Sequence, residues 1–148
     1  MEAFLGKKYK LAASENFDEY MKALGVGLVT RKMGNTVSPV IELTASGGEY
    51  TLKTTSTFKS SVLTFKLGEE CDEETVDGRK VKSTCTIDGN KLIQVQKGDK
   101  ESTIVREFTP EQVTAVGVAS AGKIGLPSSH PHAAPTYIIP PFLLTYVE

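Results

Sequence analysis

The chain has 148 residues, 17 Lys plus Arg against 18 Asp plus Glu, 39% hydrophobic residues and no Trp. A fold of this length buries about 70% of the surface its unfolded chain exposes, so one compact domain is expected without help from disulfides or a structural metal. The near-neutral charge points to no nucleic-acid partner, and with no ~20-residue apolar run and no hydrophobic h-region after Met1 a cytoplasmic protein is expected.

From Asn16 to about Asn35 the pattern is helical. Asn16 is a suitable N-cap with Glu19 three residues on, and Phe17, Tyr20, Met21 and Leu24 recur at helical spacing before Gly25. A second short helix, roughly Leu28 to Met33, is predicted to follow Gly27 and stop at Gly34-Asn35. Helices this short are marginal alone and need an apolar support. Short segments rich in Thr, Val, Ile or Phe follow: Val40 to Ala45, Glu49 to Thr55, Ser60 to Leu67, Lys80 to Ile87, Lys91 to Gln96 and Ser102 to Phe108. Turn residues such as Ser46-Gly47-Gly48, Asp77-Gly78 and Asp88-Gly89-Asn90 separate them, which predicts an antiparallel meander closing into a barrel or sandwich. The acidic run Glu69 to Glu74 reads as a solvated strand or hairpin edge. Alternation puts Val81, Ser83, Cys85 and Ile87 on one face, so Cys85 is expected to face inward, and Cys71 and Cys85 to stay reduced.

After Ala115 the sequence changes character. Lys123 and Glu148 are its last charged residues, while Pro127, Pro131, Pro135, Pro140 and Pro141 crowd the tail and predict mostly irregular chain. His130-Pro131-His132 lacks a third ligand and reads as an exposed loop, so neither a metal nor any other cofactor is expected. No Ser-His-Asp set, phosphate loop or paired-carboxylate motif is recognisable, which disfavours an enzyme.

The most informative residue is Arg106. In Ser102 to Phe108, Ile104, Arg106 and Phe108 share one face and Thr103, Val105 and Glu107 the other. A guanidinium is charged at any physiological pH, so among apolar groups it needs an anion, ordered water, or a bound carboxylate or phosphate. That is the chemistry of a site for an amphipathic acid, with an apolar cavity for the chain and a forked cation for the head. The alternatives are an outward apolar face, or a pairing of Arg106 with a Glu on the barrel rim.

Several motifs carry a resemblance: Gly6-Lys7-Lys8-Tyr9-Lys10-Leu11, the run Asn16 to Gly27, Ser56-Thr57-Phe58-Lys59, Phe65 to Glu69, Asp72 to Thr75, Asp77 to Ser83 and Ile104-Val105-Arg106-Glu107. In order and spacing, from Met1 to about Val113, the chain resembles the intracellular fatty-acid-binding protein family. The resemblance implies an all-β, ten-stranded antiparallel up-and-down β-barrel, or β-clam, with a two-helix lid. It also implies a non-catalytic carrier that binds a long-chain fatty acid in a water-containing cavity. A retinoid or a bile-acid-like ligand stays open. By the same resemblance Arg106 contacts the ligand carboxylate, and Phe17, Tyr20, Met21, Thr30, Pro39, Ser56, Phe58, Val76 and Asp77 line the cavity or its portal. Arg31 and Lys59 match basic residues at the portal, which the family associates with ligand entry and transient contact with anionic membranes.

The C-terminus departs from that pattern. In fatty-acid-binding relatives the final strand carries an Arg-x-Tyr pair that completes the carboxylate clamp and seals the barrel, and no Arg-x-Tyr follows Arg106 here. The chain therefore divides into a barrel region, 1–115, and a divergent segment, 116–148, as if the last coding segment had been exchanged by splicing or intron read-through. One uninterrupted coding exon across Ala115 would remove that idea. Within the tail, Gly122 to Leu126 is short and Phe142 to Val147 has good β-propensity, so one of them is expected to complete the ladder partially. Arg106 alone is expected to hold carboxylates more weakly than a paired site, and the competing expectation is a binding-impaired or protein-interaction chain. An unsealed edge would favour weak self-association over a monomer.

Overall fold

Period-two alternation governs most of the residues that a computed structural model of the chain describes, which are 1–57, 59–75, 78–98, 100–120 and 142–148. The strands are β1 (Lys8–Glu15), β2 (Val40–Ser46), β3 (Glu49–Thr55), β4 (Ser61–Phe65), β5 (Glu70–Glu74), β6 (Lys80–Asp88), β7 (Lys91–Lys97), β8 (Glu101–Phe108), β9 (Gln112–Ser120) and β10 (Phe142–Val147). Two helices, α1 (Phe17–Ala23) and α2 (Leu28–Thr36), follow β1. All ten strands lie in one antiparallel sheet in the order β4-β3-β2-β1-β10-β9-β8-β7-β6-β5. The result is an all-β, nearly closed barrel capped by the two helices, with β4 and β5 at the two ends of the ladder.

The last strand joins the first. Pro140-Pro141 ends immediately before β10 and no proline interrupts it, so its backbone is free to pair on both sides. It pairs with β9 from Phe142↔Gly117 to Val147↔Gln112, and with β1 from Glu15↔Leu143 to Lys10↔Val147 across a register shift between Leu11 and Ala13. This seam is fuller than the partial ladder anticipated from the tail's composition. Gly122 to Leu126 lies outside the described residues, as do Lys123, His130 and His132.

Apolar side chains from alternate positions of the strands meet inside. Ile41, Leu43, Leu52, Leu63, Phe65, Leu92, Phe108, Val113 and Leu144 are all buried. One end is closed by aromatic packing: Phe4 lies 6.0 Å from Phe108, and Tyr9 meets Phe108 edge-on at 6.0 Å and 79°. The Tyr9 hydroxyl donates to the Thr109 carbonyl at 3.1 Å, which gives its polar tip a partner at that closed end. β9 escapes simple pattern reading because its buried face carries Val113 with the small Ala115 and Ala119, while Val116 and Val118 lie exposed on the other face, so hydrophobicity does not mark the inner side.

Both helices differ in detail from the expected ones. Asn16 precedes α1 but adopts a left-handed conformation with φ 58° and makes no side-chain cap. Asn is among the few non-glycine residues that tolerate that region, and here it turns the chain from β1 into α1 while its carbonyl accepts the Tyr20 N–H at 3.0 Å. α2 runs through Gly34-Asn35 instead of stopping there. A Cβ at Gly34 would lie 3.4 Å from Met21 Sδ, so glycine lets α2 approach α1 closely, and Asn35 Nδ2 donates to Asp18 Oδ1 at 2.9 Å across the same helix pair.

Candidate ligand-binding cavity

Under the helices, the inner faces of the strands leave a cavity with two unlike walls. Ile41 on β2, Leu52 on β3 and Leu63 on β4 form one side, roofed by Met21, Leu24 and Val26. The other side is polar, built from Glu73 on β5, Gln94 and Gln96 on β7, Arg106 on β8 and Tyr146 on β10. Strand alternation explains the set: Gln94 and Gln96 share their parity with buried Leu92 on β7, Arg106 with Phe108 on β8 and Tyr146 with Leu144 on β10, while Glu73 shares its own with half-buried Cys71 on β5.

Arg106 points inward, as its alternation with Ile104 and Phe108 predicts. Its Nη1 donates to Gln94 Oε1 at 2.6 Å. That bond fixes the Gln94 amide, whose Nε2 then donates to Glu73 Oε1 at 2.8 Å. Gln96 Nε2 donates to the same oxygen at 3.0 Å, and the Ser83 hydroxyl donates to it as well. The guanidinium and the carboxylate are thus separated by one carboxamide, and three of the groups between and around them, Ser83, Gln94 and Gln96, are buried. Among the described residues neither a direct anion nor a rim glutamate is the partner of Arg106. A guanidinium has five N–H donors, so this arrangement leaves it with donor capacity for a bound oxygen.

Tyr146 completes the polar wall. It is 6% exposed, and burial raises its hydroxyl pKa, opposed by the smaller effect of the Arg106 charge. The phenol is therefore a neutral donor, and no hydrogen bond among the described residues engages it. Sequence reasoning took the missing Arg-x-Tyr as the loss of both residues. In fact Leu144-Thr145-Tyr146 keeps a tyrosine facing the cavity and places buried Leu144 two positions before it on the same face. The parity of Leu144 and Tyr146 in an otherwise clear strand was the available signal.

Phe17, Tyr20, Met21, Thr30, Pro39, Ser56 and Lys59 also line the cavity with Arg106. Phe58, Val76 and Asp77 lie outside the described residues. Arg31 is not among the lining residues: its Nη1 donates to the Val26 carbonyl at 2.6 Å and its Nε lies 3.3 Å from Asp18, so it ties α2 to α1 and the turn between them. Glu73, Gln94, Gln96 and Arg79 line the cavity without having been picked out in the sequence. Glutamines within a strand resemble solvated positions, and with Ile93 and Val95 on the opposite face of β7 their parity with Leu92 does not by itself place them inside.

The two helices are held differently. Hydrogen bonds link the Tyr20 hydroxyl to Ser102 and Lys100 Nζ to the Ala23 carbonyl, which fastens α1 to β8 and the turn before it. α2 has no buried residue and exposes Leu28 (57%), Val29 (77%) and Met33 (40%). The thiols offer no activated nucleophile: burial pushes Cys85 up to about 12, and burial followed by the charges of Glu73, Asp72 and Glu70 raises Cys71. No group of three or more metal-ligating side chains occurs among the described residues.

Comparison with known proteins bears on this cavity. The profile of the lipocalin / cytosolic fatty-acid binding protein family matches residues 5–116. The muscle fatty acid-binding protein of Schistocerca gregaria is 55% identical over 114 residues, spanning 76% of this chain and 85% of that protein. Among solved structures, the fatty acid-binding protein from brain tissue of Drosophila melanogaster superposes with a TM-score of 0.78 at 54% identity, covering 98% of this chain and 99% of that one. A Schistosoma mansoni fatty acid binding protein in complex with arachidonic acid gives 0.81 at 37% identity, covering 100% and 97%.

Proposed function

The chain belongs to the lipocalin / cytosolic fatty-acid binding protein family, and from that premise we propose that it binds and carries long-chain fatty acids in the cytoplasm, with the acyl chain in the barrel cavity and the carboxylate at Arg106. Such a protein is a carrier and not an enzyme. The observation that carries the proposal is a guanidinium inside an otherwise largely apolar chamber, 2.6 Å from a neutral amide oxygen and with donors to spare. Burial of the acyl chain against Ile41, Leu52 and Leu63 supplies most of the affinity, at roughly 25 cal/mol per Å² of apolar surface. Arg106 and the Tyr146 hydroxyl, both donors on one wall, orient the head group.

The remaining site residues fall into roles by position. Phe17, Tyr20 and Met21 form the fixed part of the roof, while Thr30, Ser56 and Lys59 belong to the side where α2 and the β3–β4 turn meet. Ligand entry is assigned to that side, because α2 is the helix with no buried residue. Its exposed Leu28, Val29 and Met33 beside exposed Lys32 suit transient contact with an anionic lipid surface. The paired β1–β10 seam supports a monomer over weak self-association, since it leaves no open edge there to recruit a second chain.

Titration of the purified, delipidated chain with palmitic acid and, in parallel, its methyl ester tests the proposal. Saturable one-to-one binding that prefers the acid is expected. Absence of saturable binding by a folded chain would instead make this a binding-impaired member of its family, and equal affinity for acid and ester would remove Arg106 from the head-group role.

A further inference from the structure

We propose that the cavity selects a long-chain acid bearing a hydroxyl on one of its first few carbons, and that Glu73 is the residue that recognises that hydroxyl. The inference rests on the fatty-acid function proposed above and specifies its ligand further.

Glu73 is an unusual tenant of a lipid cavity. A carboxylate lining the chamber that receives the acyl chain opposes the charge of any incoming acid. The fold nevertheless holds it there firmly, since one of its oxygens, Oε1, accepts hydrogen bonds from Ser83, from Gln94 at 2.8 Å and from Gln96 at 3.0 Å. Those donors are 0%, 1% and 4% exposed, so they cannot turn to water instead. The other oxygen, Oε2, carries no hydrogen bond from any described residue, while Glu73 itself lines the cavity. A fixed carboxylate with one saturated and one open oxygen is an acceptor waiting for a donor.

The position of that acceptor limits which donor can reach it. Gln94 spends its Oε1 on Arg106, so its Nε2 must face Glu73, and the anchor for the ligand's head group lies one carboxamide away from the open acceptor. An acyl chain whose carboxylate meets Arg106 passes Glu73 within its first few carbons. A plain alkyl chain there sets apolar carbons against the open Oε2 of half-buried Glu73, whereas a hydroxyl at that depth donates to it. Sites built to hydrogen-bond a hydroxyl discriminate strongly against the analogue that lacks it, because the buried partner is then left unsatisfied.

The experiment uses the full-length, delipidated chain and its Glu73→Gln variant, each titrated with palmitic acid and with 3-hydroxypalmitic acid. The unmodified protein is expected to bind the hydroxy acid about tenfold more tightly than palmitic acid. In Glu73→Gln that preference should shrink to about twofold or less, with palmitic acid bound more tightly than before because the opposing charge is gone. Equal or weaker binding of the hydroxy acid by the unmodified protein would overturn the proposal, as would an unchanged preference in the variant. Should Glu73→Gln fail to fold, the two enantiomers of 3-hydroxypalmitic acid serve on the unmodified protein: a several-fold difference is expected from a fixed acceptor, and equal affinities would overturn it. Palmitic acid bound without any hydroxyl preference refutes this inference alone, while binding of neither acid refutes the fatty-acid function beneath it.

Discussion

The two walls of the cavity are made by the same rule and do different work. On β2, β3 and β4 the inward positions carry Ile41, Leu52 and Leu63, which take any apolar chain without regard to its direction. On β5, β7, β8 and β10 the same inward parity carries Glu73, Gln94, Gln96, Arg106 and Tyr146, linked in part by hydrogen bonds of 2.6 to 3.0 Å. Burial of area is non-directional, whereas hydrogen bonds have geometry, so the proposed function assigns affinity mainly to the first wall and orientation to the second. Substitutions on the two walls should therefore separate what is bound from how it is bound.

The largest expected effect is on the apolar side. Leu52 is 5% exposed, and Leu52→Ala should cost about 2–5 kcal/mol of stability by leaving a cavity. Thermal or denaturant unfolding checks the cost, and palmitic acid and its methyl ester should weaken together. Arg106→Gln should do the opposite: it keeps a donor for Gln94 but removes the charge, so the acid weakens about 10- to 100-fold, from ~1.5–3 kcal/mol of charge-assisted hydrogen bonding. The ester should change by less than about twofold in the same titration. If acid and ester weaken equally in Arg106→Gln, the distinction between the walls fails.

Leu144→Arg would place a further cation on the cavity wall, on the same strand face as Tyr146. It should tighten acid binding by roughly threefold to tenfold while lowering stability by ~1–3 kcal/mol, measured by titration and by thermal unfolding. An unchanged acid affinity would mean that this position does not reach the head group. Tyr146→Phe should have the smallest effect, about fivefold weaker binding of the acid alone, corresponding to ~1 kcal/mol for a neutral hydrogen bond. Because burial raises the Tyr146 pKa above its ordinary 10.0, the neutral donor persists as pH rises past that value. Its contribution to acid binding should then stay flat between pH 7 and about 10. A decline within that range would show an ionising hydroxyl.

How much of this was visible in the sequence divides along the same line. Alternation put Cys85 inside and grouped Arg106 with large apolar neighbours, but it left an outward face or a rim pairing open for Arg106 until the motif resemblance favoured the cavity. The motif resemblance supplied the barrel and lid, which propensity could not, because helices as short as α1 have little stability of their own. The polar wall was harder to read. Gln94 and Gln96 alternate with Ile93 and Val95, so the apolar residues of β7 sit on both faces and hydrophobicity does not say which face is inner. The ladder settles it, by setting Leu92 opposite Arg106 and Gln94 opposite Ile104. Tyr146 was missed for a related reason: proline density suggested an irregular tail, yet the six residues after Pro141 pair with β9 and extend the ladder to β1. A strand that closes a barrel answers to partners more than a hundred residues away, and local composition carries little of that information.

The central claim is that a bound fatty acid keeps its carboxylate ionised beside Arg106, and palmitic acid labelled with ¹³C at the carboxyl, bound to the full chain, reports on it by NMR as pH is lowered. A carboxylate hydrogen-bonded to a guanidinium has its pKa depressed, while one buried without a cation has it raised. The expected result is a bound carboxyl signal that stays at the ionised position from pH 8 down to about 4, below which it begins to titrate. A signal with its midpoint at or above the ordinary carboxylate range would place the head group away from Arg106 and contradict the assignment of the polar wall.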